Sequence, residues 1–174
     1  MKLAIIRSCA ITAMAIALST FAAGGEKMKI TSSAFQEGGN IPPKFTCDGA
    51  NVNPPLHIEQ VPAQAKSLAL IVDDPDAPGG LFIHWLAWGI DPKTNDIAEN
   101  GVPPNAVQGK NGFGKSGYGG PCPPSGTHRY YFRVYALDQT LNLSAGANRG
   151  ELDGRMKEHI VGQGELMGRY SKQK

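Results

Sequence analysis

The fold is decided by two neighbouring runs, Ser67-Leu68-Ala69-Leu70-Ile71-Val72-Asp73-Asp74 and Leu81-Phe82-Ile83-His84-Trp85-Leu86-Ala87-Trp88-Gly89-Ile90. Both runs are apolar and rich in β-branched or aromatic residues, which predicts buried strands at 67–74 and 81–90. The segment 75–80 that joins them is rich in proline and glycine, as turns are. We therefore expect the two strands to pair antiparallel across this loop.

Polar residues stand at the ends of these strands. Side chains of a strand alternate between its two faces, so Asp74 continues the apolar face of Leu68, and His84 the face of Leu86 and Trp88. In an antiparallel pair Asp74 ends one strand where His84 begins the next. We expect the two side chains to meet at the same rim of the same face.

A third strand, near 128–137, follows the same pattern. His128 and Tyr130 share the face of Phe132, whereas Arg129 and Arg133 point away. Taken singly, Asp-Pro-Asp-Ala-Pro is a good turn sequence and a histidine at a strand end is a structural residue. Carboxylate, imidazole and phenol groups that converge over a packed core indicate a functional site instead.

The rest of the chain completes a mainly β domain. Further strands are predicted near 28–35, 56–60 and 164–170, with proline and glycine between them, as in an all-β sandwich. One helix is predicted: Asn148 is the N-cap and Glu151 completes a capping box. Its apolar stripe is expected to consist of Leu152, Met156, His159 and Ile160, with the helix ending at Gly162.

The N-terminus reads as a secretory signal. Lys2 and Arg7 precede the apolar run 8–23, and Gly24-Gly25 follows, which predicts a cleavable signal peptide over 1–25 and a single domain over 26–174. An uncleaved anchor is the alternative. Cleavage leaves 15 of the 17 basic residues against 15 acidic ones. A neutral chain without a basic stripe argues against nucleic acid as partner, and no integral membrane segment is expected after cleavage.

Cysteine usage agrees with export. Cys9 lies in the signal, so Cys47 and Cys122 remain, and an even pair in an exported chain predicts a disulfide. Two buried free thiols are the alternative. Neither cysteine has the close Cys or His spacing of a zinc site.

A glycine-rich segment has the sequence pattern of a nucleotide-binding loop. Gly109-Lys110-Asn111-Gly112-Phe113-Gly114-Lys115-Ser116 matches the P-loop pattern letter for letter. That motif works only between a buried strand and a helix, because the helix N-terminus holds the phosphates. Here Tyr118-Gly119-Gly120-Pro121 follows, which is incompatible with a helix. We expect residues 109–120 to form a flexible loop that leads into the pocket wall.

Several motifs together resemble the phosphatidylethanolamine-binding (Raf kinase inhibitor-like) family in its shorter bacterial branch. They are Phe45-Thr46-Cys47-Asp48-Gly49, the segment 74–78, His84-Trp85, Gly119-Gly120-Pro121-Cys122-Pro123-Pro124, 126–130 and 164–170. The resemblance implies a large antiparallel sheet, a smaller second sheet, one or two short peripheral helices, and a pocket for phosphate-like anions. The ligand-binding residues expected on this basis are Asp74, Asp76, Pro78, His84, Gly120, Pro121, Cys122, His128 and Tyr130.

The chain differs from the eukaryotic members in the short spacer 79–83 before His84 and in lacking a long C-terminal extension. Kinase inhibition is therefore not carried over from the family. The resemblance and the signal together imply a secreted protein, placed in a bacterial periplasm.

The residues favour a non-enzymatic anion-binding protein without cofactor or metal. Asp74 and Asp76 as bare carboxylates repel a phosphate dianion, so a carboxylate is expected to orient a histidine, which then donates to the anion. Tyr130 and backbone amides complete the donor set, and affinity should fall as pH rises. An inhibitor or interaction protein that acts on a kinase or protease through the pocket rim, with exposed Leu81 and Phe82, is the alternative. A hydrolase is less favoured, since no nucleophile stands beside a base.

Overall fold

The computed structural model describes residues 25–172, so the predicted signal segment lies, apart from Gly25, outside the described residues. The strands in this range are β1 (Glu26–Lys27), β2 (Lys29–Thr31), β3 (Leu56–Glu59), β4 (Ser67–Asp74), β5 (Phe82–Ile90), β6 (Asp96–Ile97), β7 (Val107–Gln108), β8 (Thr127–Leu137) and β9 (Ile160–Ser171). The helical elements are α1 (Arg149–Met156) and a 3-10 turn at Pro43–Phe45.

These strands form two sheets. The larger has the order β1-β9-β8-β4-β5-β7, and the smaller the order β2-β3-β6. Neighbouring strands are antiparallel except for β1, which runs parallel to β9. The predicted mainly β fold with a large and a small sheet is confirmed. The two-residue strands β1, β6 and β7 were not predicted, because so short a segment shows no alternation.

Strand β4 lies at the centre of the large sheet and is buried along its whole length. Leu68, Leu70 and Val72 pack on one side with residues of the small sheet. Ala69 and Ile71 pack on the other side, beneath α1. The continuous apolar run in the sequence is thus explained by apolar cover on both faces of the strand.

Two irregularities shift the register between β4 and β5. Val72 pairs with Trp85 but Asp73 pairs with Ile83, so His84 is an extra residue without a partner on β4. A second extra residue is Gly89, whose φ of 72° falls in the left-handed region that glycine adopts without strain.

The bulge at His84 corrects the prediction made from alternation. Leu86 and Trp88 face α1, so unbroken alternation would place His84 on that side, away from Asp74. The extra residue turns His84 to the opposite face, where its ring contacts Tyr130 with a centroid separation of 5.2 Å. The expected meeting of His84 and Asp74 on one face occurs, but a bulge rather than strict alternation produces it.

Helix α1 begins as predicted. The Asn148 side chain accepts from the Glu151 amide, and the Glu151 carboxylate accepts from the Asn148 amide, which completes the capping box. The predicted length was wrong, because the helix ends at Met156 and Ile160 is the first residue of β9. His159 lies between them and pairs with Asp138 at 2.9 Å instead of extending the buried stripe.

The predicted disulfide is present between Cys47 and Cys122, whose Cα atoms are 5.4 Å apart across a sequence separation of 75 residues. It joins the turn after Phe45 to the proline-rich loop before β8. Within residues 25–172, no helix combines the length and apolar character needed to cross a membrane.

Candidate functional site: a buried imidazole and tyrosine cavity

A cavity of about 230 Å³ lies where β4, β5 and β8 end beneath three loops. Asp74, His84 and His128 line it and are each less than 8% exposed, and Tyr130 lines it without any exposed surface. The remaining lining residues are Ala77, Pro78, Gly79, Phe82, Phe113, Cys122, Pro123 and Pro124. The structure therefore brings together the four polar residues on which the sequence prediction rested.

His128 is held by Asp74. Its Nδ1 lies 2.8 Å from Asp74 Oδ2, and the other carboxylate oxygen accepts from the Asp76 amide at 2.8 Å. Because a carboxylate accepts, the Nδ1 nitrogen donates, which leaves Nε2 as the second polar atom of the ring. Asp74 thus orients an imidazole, as predicted, and both of its oxygens are occupied.

His84 is held by backbone. Its Nδ1 lies 2.6 Å from the carbonyl oxygen of Gly119, and the Gly119 amide donates to the carbonyl of His84 at 2.9 Å. Burial lowers the pKa of His84 below its ordinary value, although the Gly119 carbonyl and the Asp74 carboxylate act in the opposite direction. His84 is therefore uncharged at neutral pH.

The Tyr130 hydroxyl is the unusual polar atom of the cavity. It is buried and, among the described residues, no group meets it in hydrogen-bond geometry, although the Asp74 carboxylate lies near enough to interact with it. Burial raises the pKa of Tyr130, and the nearby Asp74 carboxylate raises it further. Hence the hydroxyl keeps its proton, and a buried donor is left without a protein partner, which costs about 1–3 kcal/mol in a folded protein.

Two phenylalanines close one side of the cavity. Phe82 lies 5.0 Å from the His84 ring and 4.9 Å from the Phe113 ring, measured between centroids. Phe82 was expected to be an exposed rim residue; the structure instead buries it partly against these rings, while Leu81 is 53% exposed. Phe113 was not predicted as a cavity residue, although it is the single aromatic residue of the glycine-rich segment 109–117 and that fact could have identified it.

The glycine-rich segment is organised by Asn111. Its side chain accepts from the amides of Phe113 and Lys115 and donates to the carbonyl of Gly117 at 2.9 Å. No helix follows between residues 117 and 126. The strand-loop-helix context of a P-loop is therefore missing, and the segment presents Phe113 to the cavity.

The proline-rich wall is fixed to the turn after Phe45. The Gly120 amide donates to Asn51 Oδ1 at 2.7 Å, and the Cys47 amide donates to the carbonyl of Pro121 at 3.0 Å. A Cβ at Gly120 would lie 2.4 Å from the carbonyl oxygen of Phe45, so only glycine fits there. These contacts, with the disulfide, set the position of the Gly119 carbonyl that holds His84.

Three residues of the predicted ligand-binding set lie away from the cavity. Gly120 and Pro121 support its wall from behind and are absent from its lining, whereas Pro78 and Cys122 line it. Asp76 lies outside, where its carboxylate accepts from the Arg129 guanidinium at 2.6 and 2.9 Å and from the Arg129 amide. These hydrogen bonds to Arg129 lower the pKa of Asp76 to about 2.

Two larger depressions are lined by charged side chains that already pair with each other. One of about 630 Å³ is lined by Arg133 and Glu165, which form an ion pair with each other. Another, of about 610 Å³, contains the Asp76–Arg129 pair together with Ser125 and Thr127. For residues 25–172, no cluster of three His, Cys, Asp or Glu side chains is placed to hold a metal ion. Within residues 25–172, the cavity of about 230 Å³ is the one that contains a buried side-chain polar atom without a hydrogen bond, the Tyr130 hydroxyl.

Known proteins match this chain over nearly all of the residues that the structure describes. A family profile described as phosphatidylethanolamine-binding protein matches residues 31–171. A UPF0098 protein of Pyrococcus abyssi is 48% identical over 169 residues, which cover 91% of this chain and 94% of that protein.

Two solved structures share the fold. A phosphatidylethanolamine-binding protein (PEBP) homolog from Chlamydia trachomatis has a TM-score of 0.81 at 44% identity, covering 86% of this chain and 100% of that one. YbcL of E. coli, a member of the mammalian PEBP family, has a TM-score of 0.79 at 28% identity, covering 84% and 99%.

Proposed function

Since the chain belongs to the phosphatidylethanolamine-binding protein family, we propose that it binds phosphate-type anions, such as a phosphorylated head group, in the cavity between His84, His128 and Tyr130. The cavity is large enough for a phosphate group and a few further atoms, at about 230 Å³. Its aromatic and proline walls are apolar, and polar contacts are stronger in surroundings of low polarity than in water.

The observation that carries this proposal is the unpartnered Tyr130 hydroxyl. A neutral phenol at the bottom of a cavity donates one hydrogen bond, and among the described residues none accepts it. A hydrogen bond from a neutral donor to a charged oxygen contributes about 1.5–3 kcal/mol, which offsets the cost of leaving the hydroxyl unpaired in the empty protein.

The charge of the site requires a proton to accompany the anion. Asp74 brings a buried negative charge to the cavity edge, and neutral His84 adds none of opposite sign. Protonated His128 donates from Nε2 while Nδ1 stays on Asp74, so the imidazolium lies between the carboxylate and the anion. Affinity is therefore expected to fall as pH rises from 6 to 8, since a phosphate monoester, with a second pKa of about 6, loses a proton over this range and its added negative charge is repelled by Asp74.

Binding without turnover is part of the proposal. The Cys122 sulfur is held in the disulfide and is no nucleophile in that state. Ser125 and Thr127 line the outer depression rather than the cavity. Activation of a nucleophile needs a base bonded to it. His128 also lines the outer depression, but its Nδ1 is bonded to Asp74, and among the described residues no hydrogen bond joins the Ser125 or Thr127 hydroxyl to His84 or His128.

Export to a periplasm is proposed on two grounds. Disulfides are typical of oxidising compartments such as the periplasm, and the N-terminal sequence has the basic, apolar and small-residue order of a signal peptide. Fractionation of the expressing cells, with mass spectrometry of the mature N-terminus, tests this: a mature chain starting between residues 22 and 26 supports export, and an intact Met1 contradicts cleavage.

Anion binding is tested by calorimetric titration of phosphorylethanolamine and of inorganic phosphate into the mature protein. His128→Gln keeps a donor for Asp74 but cannot carry a positive charge, and is expected to weaken binding at least roughly tenfold. His159→Gln is the matched control, because His159 also pairs with a carboxylate yet lies outside the cavity. No binding to the wild type, or equal binding by the two variants, contradicts the proposal.

A further inference from the structure

The hydrogen bond to Gly119 fixes which ring nitrogen of His84 carries the proton. A carbonyl oxygen only accepts, so the 2.6 Å contact requires Nδ1 to be the donor. Nε2 of neutral His84 is then a lone-pair acceptor. Among the described residues no donor is bonded to it, and the ring lines the cavity. A cavity built for an anion therefore also contains a hydrogen-bond acceptor.

The arrangement is rigid. His84 and Gly119 are joined by two hydrogen bonds, one from the His84 ring to the Gly119 carbonyl and one from the Gly119 amide to the His84 carbonyl. The Gly120 amide, next in the chain, donates to Asn51. Rings of Phe82, Phe113 and Tyr130 surround the imidazole at centroid distances of 5.0, 5.7 and 5.2 Å. The ring cannot turn over to present a donor without breaking the bond to Gly119.

The charged and titratable groups around His84 come from the neighbouring strands. Asp73 and Asp74 end β4, and His128 and Tyr130 stand on β8. The carbonyls of Gly119 and Gly120 approach from the wall. Burial lowers the pKa of His84 and outweighs the two carboxylates and the two carbonyls, which favour the charged imidazole. The neutral acceptor form is thus present at neutral pH.

We propose that this acceptor makes the cavity selective for protonated oxyanions. The fitting ligand is a phosphate monoester in its monoanionic form, whose P–OH donates to His84 Nε2 while its other oxygens accept from Tyr130 and His128. This inference rests on the anion-binding function proposed above and specifies its ligand. Anions that carry no proton, such as sulfate esters, can only accept hydrogen bonds, so they place an acceptor oxygen opposite the acceptor His84 Nε2.

The discrimination follows from the cost of an unpaired buried group. A site with a buried polar atom rejects a ligand that lacks the matching hydrogen, because that atom loses its water and gains no bond. Lone pairs brought face to face add repulsion. The expected difference in Kd between a protonated and an unprotonated oxyanion of the same shape and charge is about 10- to 100-fold.

Phosphorylethanolamine and 2-aminoethyl sulfate form the matched pair that tests this. At pH 6 the phosphate ester, with a second pKa of about 6, is half monoanion and half dianion. The monoanion carries one P–OH, whereas the sulfate ester has the charge of that monoanion and no proton. Calorimetry is expected to give the phosphate ester the lower Kd by about 10-fold or more at pH 6, and a much smaller gap at pH 8.

The outcomes separate this inference from the proposed function. Equal Kd values for the two esters at pH 6 overturn the selectivity and leave anion binding intact. Binding of neither ester overturns both. Tighter binding of the sulfate ester shows that the cavity presents donors only, which also overturns the assigned His84 state.

Two further measurements make the test independent of one ligand pair. Nitrogen-15 NMR of the wild-type protein near pH 7 is expected to show His84 neutral with the proton on Nδ1, and a proton on Nε2 contradicts the inference. His84→Gln supplies an amide that can turn to donate or accept, so it should bind both esters with Kd values within about threefold of each other. His159→Gln should keep the wild-type ratio.

Discussion

Two adjacent aspartates, Asp73 and Asp74, end the same strand and face opposite sides of the large sheet. Asp73, which is 1% exposed, is bonded to the guanidinium groups of Arg133 and Arg149, each at 3.2 Å. Asp74, which is 3% exposed, is bonded to His128 and to a backbone amide at the edge of the cavity. Both carboxylates are buried, but their surroundings differ.

On the Asp73 side the polar groups satisfy one another. Arg149 also pairs with Asp153 at 2.8 Å, which ties helix α1 to the sheet. On the Asp74 side, Tyr130 has a buried hydroxyl that no described group accepts, and the histidines have one ring nitrogen each left over. A saturated network stabilises the fold, whereas an unsaturated one indicates a place for a ligand.

The largest effect on stability is expected on the Asp73 side of the sheet, where the polar groups are paired. Asp73→Asn leaves two guanidinium groups without their shared carboxylate, which is expected to lower the free energy of unfolding by about 3 kcal/mol. Anion affinity should not change, because Asp73 faces away from the cavity. Urea unfolding and calorimetry measure the two quantities. A large loss of affinity with unchanged stability would mean that the two faces have been assigned the wrong way round.

A smaller change in the free energy of unfolding is expected on the cavity side when the pH is lowered. Because the pKa of His84 is lowered in the folded protein, the unfolded chain takes up this proton first as pH falls below about 6.5. The contribution of His84 to stability is complete above that pH and is lost as pH falls through its folded pKa. Unfolding free energies between pH 7 and pH 5 should decline less steeply in His84→Gln than in the wild type.

The control for the acid effect is His159→Gln, which also replaces one histidine by glutamine but lies outside the cavity; the slope should be shallower in His84→Gln than in this control. An equal slope in wild type and His84→Gln would show that His84 is not the group that takes up the proton.

The smallest effect is expected outside the cavity, at the Asp76–Arg129 pair. This ion pair is exposed to solvent, so Asp76→Asn should reduce stability slightly, and the difference should shrink further at about 0.5 M salt. Since the pKa of Asp76 is lowered to about 2, its contribution is present above about pH 3.9 and is lost towards pH 2. Anion affinity should stay unchanged. A marked loss of affinity would make Asp76 part of the site after all.

The bounds of β4 and the direction of the cavity residues on β8 can be predicted from the sequence. The alternation in 128–136 places His128 and Tyr130 over the core correctly, because β8 is regular there and pairs with β9 without interruption from Thr127 to Ala136. Strand β4 is likewise predicted with its observed bounds, because apolar cover on both faces leaves a continuous apolar run.

What the sequence did not reveal depends on contacts between distant segments. The bulge at His84 arises from the pairing of β5 with β4, and strict alternation puts that histidine on the wrong face. The position of Phe113 depends on the turn built around Asn111, and the orientation of His84 on the carbonyl of Gly119, 35 residues away. Asp76 looked like a cavity residue because its partner, Arg129, was 53 residues distant.

The central claim is that the unpaired Tyr130 hydroxyl is kept for a ligand, and Tyr130→Phe tests it most directly. The variant removes one oxygen from a buried ring and leaves the packing around it in place. We predict an unfolding free energy equal to the wild type or up to about 1 kcal/mol higher, together with a Kd for phosphorylethanolamine at least about 10-fold weaker. Tyr135→Phe, on the opposite face of the same strand, should bind as the wild type does. A Tyr130→Phe protein that is less stable yet binds with unchanged affinity would contradict the account, because the hydroxyl would then serve the fold and not the ligand.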